Sequence, residues 1–506
     1  MRSTATAWAS WADYRESESL LTEIPSGGDL PAALFFPADY SVGMANLGYH
    51  YIYRKLRESG LSAERFFLSP IPYRSVEGDT LLERFGVIMA GISYECDVPA
   101  LLRWLVNAGV EPARKRRDRE GAPIIGTGGA LTYINPLSLS DVSDFIVLGD
   151  GLPVLDHVAE TLRRKGSRTE ILRWLAEHPS ILVPSVHLDS GLTFELSAAK
   201  RCDISEDYGH GCWIAPKSAF GDTFLVELQR GCARGCKYCT LPSRFGALRQ
   251  RPVGMVLSDI ESACKKATFG RVGLVTPEAS DYRSLDDLLD GLRRLDKGVS
   301  FASLRADGLN RRMLRALRSG GWRSVTVAPE SGDDNLRASC GKGFTNDKLT
   351  EALCMAKEEG ISSVKLYFMI GLPGENSSHV LSIADLCGRI GGETGLKLTA
   401  AVSPFVPKPG TGWSGADFSK EAELQGKFAI LSKAMRRLPK TTFQRSSIKE
   451  AVLEYALSWA SSRVSEMTTE LIKDTGAARG SILRQLTAGI DKNEAESELE
   501  RLGLLF

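Results

Sequence analysis

Hydrophobic residues make up 43% and charged residues 25% of the 506-residue chain, whose formal net charge is +1. Such values are typical of a globular protein of about two to four domains, and the near-neutral charge gives no electrostatic basis for binding nucleic acid or a membrane surface. The N-terminal residues lack the apolar core of a signal peptide, no apolar run is long enough to span a membrane, and most of the ten cysteines are isolated. We therefore expect a cytoplasmic protein without a membrane partner.

The first 180 residues predict a doubly wound, Rossmann-like α/β domain. Short apolar strands are predicted at 33–36, 85–90, 123–126 and 144–148. Helices are predicted at 49–58, 99–108 and 152–164. This alternation is typical of a parallel sheet that binds its ligands at the carboxyl ends of the strands. The loops expected at that edge are 91–95, 126–136, which begins with a glycine-rich turn at 126–129, and 149–151.

Residues 181–222 interrupt this alternation and are interpreted as a hairpin and linker. A second alternating block follows at 223–415. Its strands are predicted at 224–228, 272–276, 299–304, 324–328, 364–370 and 396–402. Six strand–helix units are too few for a closed eightfold barrel, so we expect a partial, open (β/α)6 barrel. Residues 416–506 show helical periodicity without a clear strand and are interpreted as a C-terminal helical cap.

Three cysteines within eight residues, Cys232, Cys236 and Cys239, follow the first strand of the predicted barrel in the sequence C-A-R-G-C-K-Y-C. Three thiolates on one loop can bind three irons of a four-iron cluster and leave the fourth iron open to a substrate, whereas an electron carrier normally supplies four cysteines. A structural zinc site would need a fourth ligand, and the neighbouring histidines, His210 and His379, are distant in sequence. A disulfide would fit a secreted protein. The spacing therefore favours an iron–sulfur cluster.

These cysteines resemble those of the radical S-adenosylmethionine (SAM) superfamily, in which such a triplet follows the first barrel strand. Three further segments are similar to the family: the arginine-proline stretch at 249–253, A-P-E-S-G at 328–332 and I-G-L-P-G-E at 370–375. The segment T-P-E-A-S-D-Y at 276–282 stands where the family's G-G-E motif holds the methionine amino group, but it lacks the two glycines.

The resemblance implies that the three cysteines hold a [4Fe-4S] cluster and that its open iron chelates the amino and carboxylate groups of SAM. Reductive cleavage of SAM would then modify a small molecule or peptide, with an electron from a low-potential donor such as flavodoxin or ferredoxin. The other residues expected at the cofactors are Tyr238, Arg305 with Asp307, Glu330, Lys365, Tyr367, Gly371, Gly374 and Glu375.

Several of these residues have a structural alternative. Tyr238 would contact the adenine or only shield the cluster. Glu330 and Glu375 would accept hydrogen bonds from SAM or cap a helix. Lys365 and Tyr367 alternate on one strand and therefore share a face, which would point to a ligand or to a helix.

Residues 1–180 resemble the B12-binding domain that precedes the barrel in one subset of the family, on the phrases G-T-G-G-A-L-T-Y-I-N-P and F-I-V-L-G-D-G. The motif D-x-H-x-x-G, whose histidine ligates cobalt, is absent. Gly126, Gly128 and Gly129 are the candidate contacts to a corrin edge, although tight β–α turns need glycine in any case. Cobalamin is thus a candidate cofactor that rests on the resemblance.

The remaining residues leave several reactions open. With cobalamin we expect methyl transfer to carbon or phosphorus; without it, transfer of the 3-amino-3-carboxypropyl group of SAM. No second cysteine triplet supports a methylthiotransferase cluster. Cys340 is a candidate to accept a group covalently, or it is a core residue. A non-catalytic electron carrier is the alternative of a different class. Nucleic acid is not an expected partner because the basic runs, such as 115–117, are short.

Overall fold

The structure is a computed structural model that describes residues 10–117, 121–190, 196–197, 202–204, 208–244, 246–301, 304–473, 485–486 and 489–504. Contacts among these residues define two compact units. The N-terminal unit contains the residues up to 203, residues 211–223 and the residues from 456 onward, and the barrel unit contains residues 204–210 and 224–455. The four-part division at 180, 222 and 415 stays a prediction, because the contacts divide residues 416–506 between the two units.

The N-terminal unit is built on a six-stranded sheet. The strands of the unit, inside and outside this sheet, are β1 (Ser19–Leu20), β2 (Leu30–Phe36), β3 (Leu61–Phe67), β4 (Val87–Gly91), β5 (Ile124–Gly128), β6 (Phe145–Val147), β7 (Ile181–Leu182) and β8 (Trp213–Ile214). The sheet order is β3-β2-β4-β5-β6-β7. The pairs from β3 to β6 are parallel, β7 is antiparallel to β6, and β1 pairs with β8 in a separate antiparallel ribbon. The order of the five parallel strands is that of a doubly wound sheet, which confirms the predicted fold.

Helices cover both faces of this sheet. They are α1 (Trp11–Arg15), α2 (Tyr40–Gly43), α3 (Leu47–Glu58), α4 (Asp97–Asn107), α5 (Leu155–Arg163), α6 (Arg168–Ala176) and α7 (Pro184–His187), with 3-10 helices at Leu82–Arg84, Ala130–Tyr133 and Pro136–Leu139. Strand β2 is apolar on both sides because both sides are packed: Phe35 stacks on Trp104 of α4 with ring centroids 3.9 Å apart, and Phe36 contacts Tyr49 of α3 edge-on.

The barrel unit contains six consecutive strand–helix units and a seventh strand. The seven barrel strands are β9 (Thr223–Glu227), β12 (Arg271–Val275), β13 (Gly298–Phe301), β14 (Ser324–Glu330), β15 (Ser363–Ile370), β16 (Lys397–Pro404) and β17 (Thr441–Arg445), and β10 (Gln229–Arg230) and β11 (Arg249–Gln250) form a separate antiparallel ribbon. Its helices are α8 (Thr240–Arg244), α9 (Val253–Lys266), α10 (Leu285–Arg294), α11 (Arg311–Ser319), α12 (Asp334–Ser339), α13 (Asn346–Glu358), α14 (Ser377–Thr394), α15 (Glu421–Met435) and α16 (Ile448–Ser458), with a 3-10 helix at Ala279–Asp281. The described residues form a three-stranded sheet, β13-β12-β9, and a parallel four-stranded sheet, β14-β15-β16-β17.

Strand β17 corrects the expectation that the tail after residue 416 contains no strand. It pairs in parallel with β16, and Phe443 lies opposite Ala400 in the register. None of its five residues is buried. The strand was missed because an exposed, largely polar edge strand carries no apolar run.

The four-stranded sheet has two chemically different faces. Along β15, Val364, Leu366, Phe368 and Ile370 are buried, whereas Lys365 and Tyr367 lie on the opposite face and remain half-buried or exposed. Because successive side chains alternate between faces, the register places Thr326 and Thr399 beside Lys365, and Thr442 beside Thr399 in the same row. We call this second surface the open face.

The last helices, α17 (Ser462–Lys473) and α18 (Lys492–Arg501), belong to the N-terminal unit. Helix α17 packs beside α4 and the 3-10 helix Pro136–Leu139. Asn135 donates hydrogen bonds to the carbonyls of Ser458 (3.1 Å) and Ala460 (2.7 Å). Between β5 and β6 the described residues contain only 3-10 turns, and α17 packs beside the second of them. No helix in the described part of the chain is both long and apolar enough to cross a lipid bilayer.

Candidate metal centre and cofactor site

The loop that carries the three cysteines lies between β10 and α8, directly after the first barrel strand. Cys232, Cys236 and Cys239 are half-buried and form no disulfide. Gly231 has a φ of +79°, and a Cβ there would lie 2.6 Å from the carbonyl oxygens of residues 246 and 247. Glycine at this position therefore lets the loop turn away from β10 while its backbone packs closely against residues 246 and 247.

Two neighbouring segments hold this loop through its backbone. The amide of Lys237 donates to the carbonyl of Cys340 (3.0 Å), and the amide of Trp413 donates to the carbonyl of Lys237 (2.9 Å). Gly341, with a φ of +85°, packs so closely on Gly235 that a Cβ would overlap its carbonyl. Among the described residues, none of the three thiols donates a hydrogen bond that fixes the loop, so all three stay available as ligands.

Burial affects the protonation of these thiols. It raises the pKa of Cys239 to about 11 and also raises the pKa of Cys232. Because iron binds the thiolate, cluster assembly on this loop releases protons. Among the described residues, no group of three or more His, Cys, Asp or Glu side chains is placed to hold a single metal ion.

Tyr238, between the last two cysteines, is connected to the end of β14. Its hydroxyl donates to Oε1 of Glu330 (2.6 Å), and Nζ of Lys342 donates to the same oxygen (2.6 Å) and to the carbonyl of Ala328 (2.7 Å). Burial and the neighbouring Glu330 carboxylate raise the pKa of Tyr238 above its ordinary value. The phenol therefore stays protonated and remains a donor to Glu330.

Glu330 adopts a left-handed backbone conformation, with a φ of +65°, and its side chain is only 8% exposed. Non-glycine residues in this region are strained, and they persist where the surroundings hold them. Glu330 does not cap the following helix: Asp333 caps α12 by accepting from the amide of Leu336 (2.8 Å). The helix-cap alternative for Glu330 is therefore wrong.

A fully buried arginine holds the A-P-E-S-G segment that contains Glu330. Arg337 donates to the carbonyls of Pro329 (3.1 Å) and Ser331 (2.6 Å) and to Oδ1 of Asn346 (2.5 Å). Sequence reasoning missed both Arg337 and Lys342. The only local signal was their position just after A-P-E-S-G, and a basic residue on a short helix is usually solvated.

The segment at 276–282 also lies beside the cysteine loop. Glu278 is buried, and its Oε1 accepts from the amide (3.1 Å) and hydroxyl (2.7 Å) of Ser280, so it caps the 3-10 helix Ala279–Asp281. Burial raises the pKa of this carboxyl group. Asp281 forms an ion pair with Arg234 of the cysteine loop (Nε to Oδ2, 2.9 Å). Glu278, the acidic residue at the G-G-E position, is thus hydrogen-bonded within its own segment.

Arg305, after β13, forms a two-point ion pair with Asp307 at 2.9 Å for each hydrogen bond. Burial alone would lower the pKa of Arg305, but Asp307, Cys236 and Glu278 raise it. The guanidinium group therefore lies within electrostatic reach of the cysteine loop, with its charge balanced by Asp307.

The turn G-L-P-G-E follows β15. The amide of Gly371 donates to Oε1 of Glu375 (2.8 Å), and the same oxygen lies 2.9 Å from Nζ of Lys427. Glu375 thus closes its own turn in a buried position. Gly374 has a φ of +78°, and nothing lies within 4 Å of the position of its absent Cβ. Its backbone is therefore open to the surroundings.

Cys340 has the surroundings of a core residue. It is fully buried, packs with Leu336, Leu372 and Phe405, and donates from Sγ to the carbonyl of Leu336 (3.3 Å). Burial raises the pKa of its thiol to about 12. The predicted covalent role would need a thiolate, which these contacts disfavour.

The glycines expected at a corrin have packing roles in the N-terminal unit. A Cβ on Gly126 would overlap the ring of Phe145, and one on Gly129, whose φ is +111°, would lie 2.5 Å from the carbonyl oxygen of Ile92. Gly128 has only an ordinary contact with Val147. A cobalamin contact by these residues stays a prediction.

The fold and the site together define a class of protein: a partial α/β barrel with a three-cysteine loop after its first strand, preceded in the chain by a doubly wound domain. Residues 226–387 match the family model of the radical SAM superfamily, and residues 48–184 match the model of radical SAM proteins, N-terminal. The chain belongs to the radical SAM superfamily, which uses a [4Fe-4S] cluster and SAM.

Relatives of known sequence are similar over part of the chain. An uncharacterized protein of Methanocaldococcus jannaschii is 30% identical over 221 residues, which cover 44% of this chain and 48% of that protein. The ribosomal protein uS12 methylthiotransferase RimO of Geobacter sulfurreducens is 23% identical over 251 residues, or 47% of this chain and 48% of RimO. The matched region thus spans about half the length of these relatives.

Two solved structures share the fold over most of the chain. The radical SAM methyltransferase TsrM from Kitasatospora setae, with cobalamin and a [4Fe-4S] cluster bound, has a TM-score of 0.54 at 12% identity and covers 90% of this chain and 99% of its own. The cobalamin-dependent radical SAM enzyme OxsB, with aqua-cobalamin and SAM bound, has a TM-score of 0.54 at 15% identity and covers 84% of this chain and 58% of its own.

Proposed function

We propose that this protein is a radical SAM enzyme that binds a [4Fe-4S] cluster through Cys232, Cys236 and Cys239 and cleaves SAM reductively to modify a small molecule or peptide. One observation carries the proposal: the cysteine loop is held by the backbone bonds of Lys237, while the three thiols remain available. When bound, the cluster supplies the electron that breaks a carbon–sulfur bond of SAM.

The residues around the loop suit the binding of SAM. Glu330 directs Oε1 to Tyr238 and Lys342, and its Oε2 has no hydrogen-bond partner among the described residues. This second oxygen is available to accept from the amine or a ribose hydroxyl of SAM. The open backbone of Gly374 allows close approach of the adenine. Arg305 lies within electrostatic reach of the loop and suits the carboxylate of SAM.

Cobalamin-dependent methyl transfer is the first candidate reaction. Its support is the fold, because the N-terminal unit has the doubly wound sheet expected of a B12-binding-like domain, and TsrM and OxsB were solved with cobalamin. Cobalamin would lie at the carboxyl edge of this sheet. Since Gly126 and Gly129 serve internal packing, a corrin would rest mainly on other residues of that edge.

Transfer of the 3-amino-3-carboxypropyl group of SAM is the second candidate. It is favoured by the engagement of Glu278 with Ser280, which removes one acceptor for the methionine amino group and allows a different orientation of SAM. Both candidates make the protein a transferase that receives its electron from a low-potential donor such as flavodoxin or ferredoxin. A non-catalytic electron carrier is the alternative without SAM turnover.

Anaerobic reconstitution with iron, sulfide, dithionite and SAM tests this proposal. We expect a [4Fe-4S] spectrum and a cleaved fragment in the mass spectrum: 5′-deoxyadenosine for the radical route, or methylthioadenosine for aminocarboxypropyl transfer. Alanine in place of Cys236 should abolish both signals, while Cys264→Ser, a half-buried thiol on α9, should leave them intact. Corrin absorbance in protein prepared with cobalamin would favour methyl transfer over aminocarboxypropyl transfer. A cluster that never consumes SAM would leave the electron carrier as the remaining function.

A further inference from the structure

The open face of the four-stranded sheet is polar where a packed barrel would be apolar. The register aligns Thr326, Lys365, Thr399 and Thr442 in one row across all four strands. The next row places Tyr367 beside Ala401 and Gln444. In a closed barrel the interior is filled by bulky branched apolar side chains. The polar rows here therefore mark a surface that accepts a ligand and is not packed as a core.

Lys365 is the half-buried cation of this surface, on which Lys397, at the start of β16, is exposed. Its Nζ lies 4.8 Å from the ring centroid of Tyr367, and within the described residues it has no hydrogen bond or ion pair. Lys342 and Lys427, which are also partly buried in the barrel unit, are paired with carboxylates, Glu330 and Glu375, and the half-buried Lys297 donates to the carbonyl of Phe269 (2.8 Å). A half-buried ammonium group without a counter-charge is an anchor for an anion from outside the chain.

The neighbours of Lys365 complete the chemistry of such an anchor. Thr326 and Thr399 are its register partners on the two flanking strands, about 5 Å away on each side, and their hydroxyls can donate to the same anion. Tyr367 is 42% exposed and presents its ring toward the open side, with the small Ala401 next to it on β16. A flat group has room to lie on this ring.

Lys365 lies about 10 Å along β15 from the level of Glu330 in the expected SAM pocket. Glu330 is the register partner of Phe368, and Lys365 precedes Phe368 by three residues, or about 10 Å along the strand. A ligand held at Lys365 would therefore extend several atoms along β15 before it reached Glu330.

We propose that Lys365 and Tyr367 form the substrate anchor, and that the substrate is a carboxylate-bearing molecule with a flat, apolar body. The carboxylate binds Nζ of Lys365 and the hydroxyls of Thr326 and Thr399, and the flat body rests on Tyr367. This inference rests on the proposed function, because it places the substrate of that reaction on the open face.

Binding of phenylacetate and of its neutral analogue phenylacetamide to the reconstituted protein tests the anchor. Saturation-transfer NMR measures both ligands in the millimolar range. We expect phenylacetate to bind at least about fivefold more tightly than phenylacetamide, because a charge-assisted bond is lost in the amide. Lys365→Met and Tyr367→Leu should each weaken phenylacetate by about fivefold or more, whereas Lys365→Arg should retain it.

Lys348→Met is the matched control, since Lys348 is an exposed lysine on α13 that pairs with Glu351. Circular dichroism verifies that each variant is folded. Equal affinity of wild-type protein and Lys365→Met for phenylacetate, equal binding of the two probes, or no measurable phenylacetate binding would overturn the anchor. SAM cleavage is assayed separately, so failure of the proposed radical function and failure of the anchor give different results.

Discussion

Tyr238 and Lys342 donate hydrogen bonds to the same oxygen of Glu330, each at 2.6 Å. Tyr238 belongs to the cysteine loop and Lys342 to the segment that follows α12, so one carboxylate joins two segments that are about a hundred residues apart in the chain. The position of the cysteine loop and the position of the proposed SAM pocket are therefore coupled through a buried charge pair.

This pair predicts a coupled loss of stability. Glu330→Gln leaves the buried ammonium group of Lys342 without a counter-charge and should lower the free energy of unfolding by about 3 kcal/mol. In the double variant with Lys342→Met, the loss should be smaller than the sum of the single losses by about 0.5–3 kcal/mol. Urea unfolding of the four proteins measures this coupling. Strictly additive losses would show that the two charges do not interact.

A pair of glycines in one loop tests the support of the cysteine loop. Gly341→Ala would place a methyl group on the carbonyl of Gly235 at a φ of +85°, whereas nothing lies within 4 Å of the Cβ position of Gly343. Strain of about 1–3 kcal/mol should displace the loop in the first variant only. We expect Gly341→Ala to retain clearly less iron and sulfide per chain after reconstitution, and Gly343→Ala to match wild-type protein. Equal loading of both variants is the contrary outcome.

Cys340→Ala separates a packing role from a chemical one. Removal of a buried sulfur should cost about 1–2 kcal/mol of stability through the cavity it leaves. Because burial raises the pKa of this thiol to about 12, we expect it to resist alkylation by iodoacetamide in the folded protein at pH 8. SAM cleavage should persist in the variant. Loss of the transferred-group product with undiminished SAM cleavage would instead identify Cys340 as the acceptor.

Glu18 predicts an acid-sensitive contribution to the N-terminal unit. Burial alone would raise the pKa of its carboxyl group, but Arg65 and Tyr40 hold it below the ordinary value of 4.5. A lowered folded-state pKa means that the stabilisation is fully present above pH 4.5 and is lost as the pH falls through the folded value. The free energy of unfolding, measured from pH 7 downward, should fall less steeply in Glu18→Gln than in wild-type protein. Identical slopes would contradict the prediction.

Much of the fold was predictable because buried parallel strands are continuous apolar runs. The predicted strand at 364–370 corresponds to Ser363–Ile370, and the predicted strand at 224–228 to Thr223–Glu227. Strand Thr441–Arg445 was not predictable, since it is exposed and gains its place only by pairing with β16. The packing of α17 within the N-terminal unit was not predictable either, because it depends on contacts between residues more than 300 positions apart.

In the candidate site, too, local patterns predicted some features, and others depend on tertiary contacts. Short-range spacing was enough to single out Cys232, Cys236 and Cys239. The left-handed backbone of Glu330 and its pairing with Lys342 arise from tertiary contacts that no local pattern encodes. Periodicity placed Lys365 and Tyr367 on one face, but only the burial of Val364 and Leu366 showed which face is open.

The inclusion of residues from 456 onward in the N-terminal unit has a consequence for synthesis. The ribosome delivers residues up to 203 well before it reaches residue 456, a delay of roughly 10 to 50 seconds at ordinary translation rates. During that interval Asn135 lacks its hydrogen bonds to Ser458 and Ala460, and α4 lacks its packing against α17. The N-terminal unit therefore emerges first but completes its packing only after the barrel unit has been synthesised. A nascent chain stalled within the barrel unit would expose this incompletely packed surface, to which chaperones can bind.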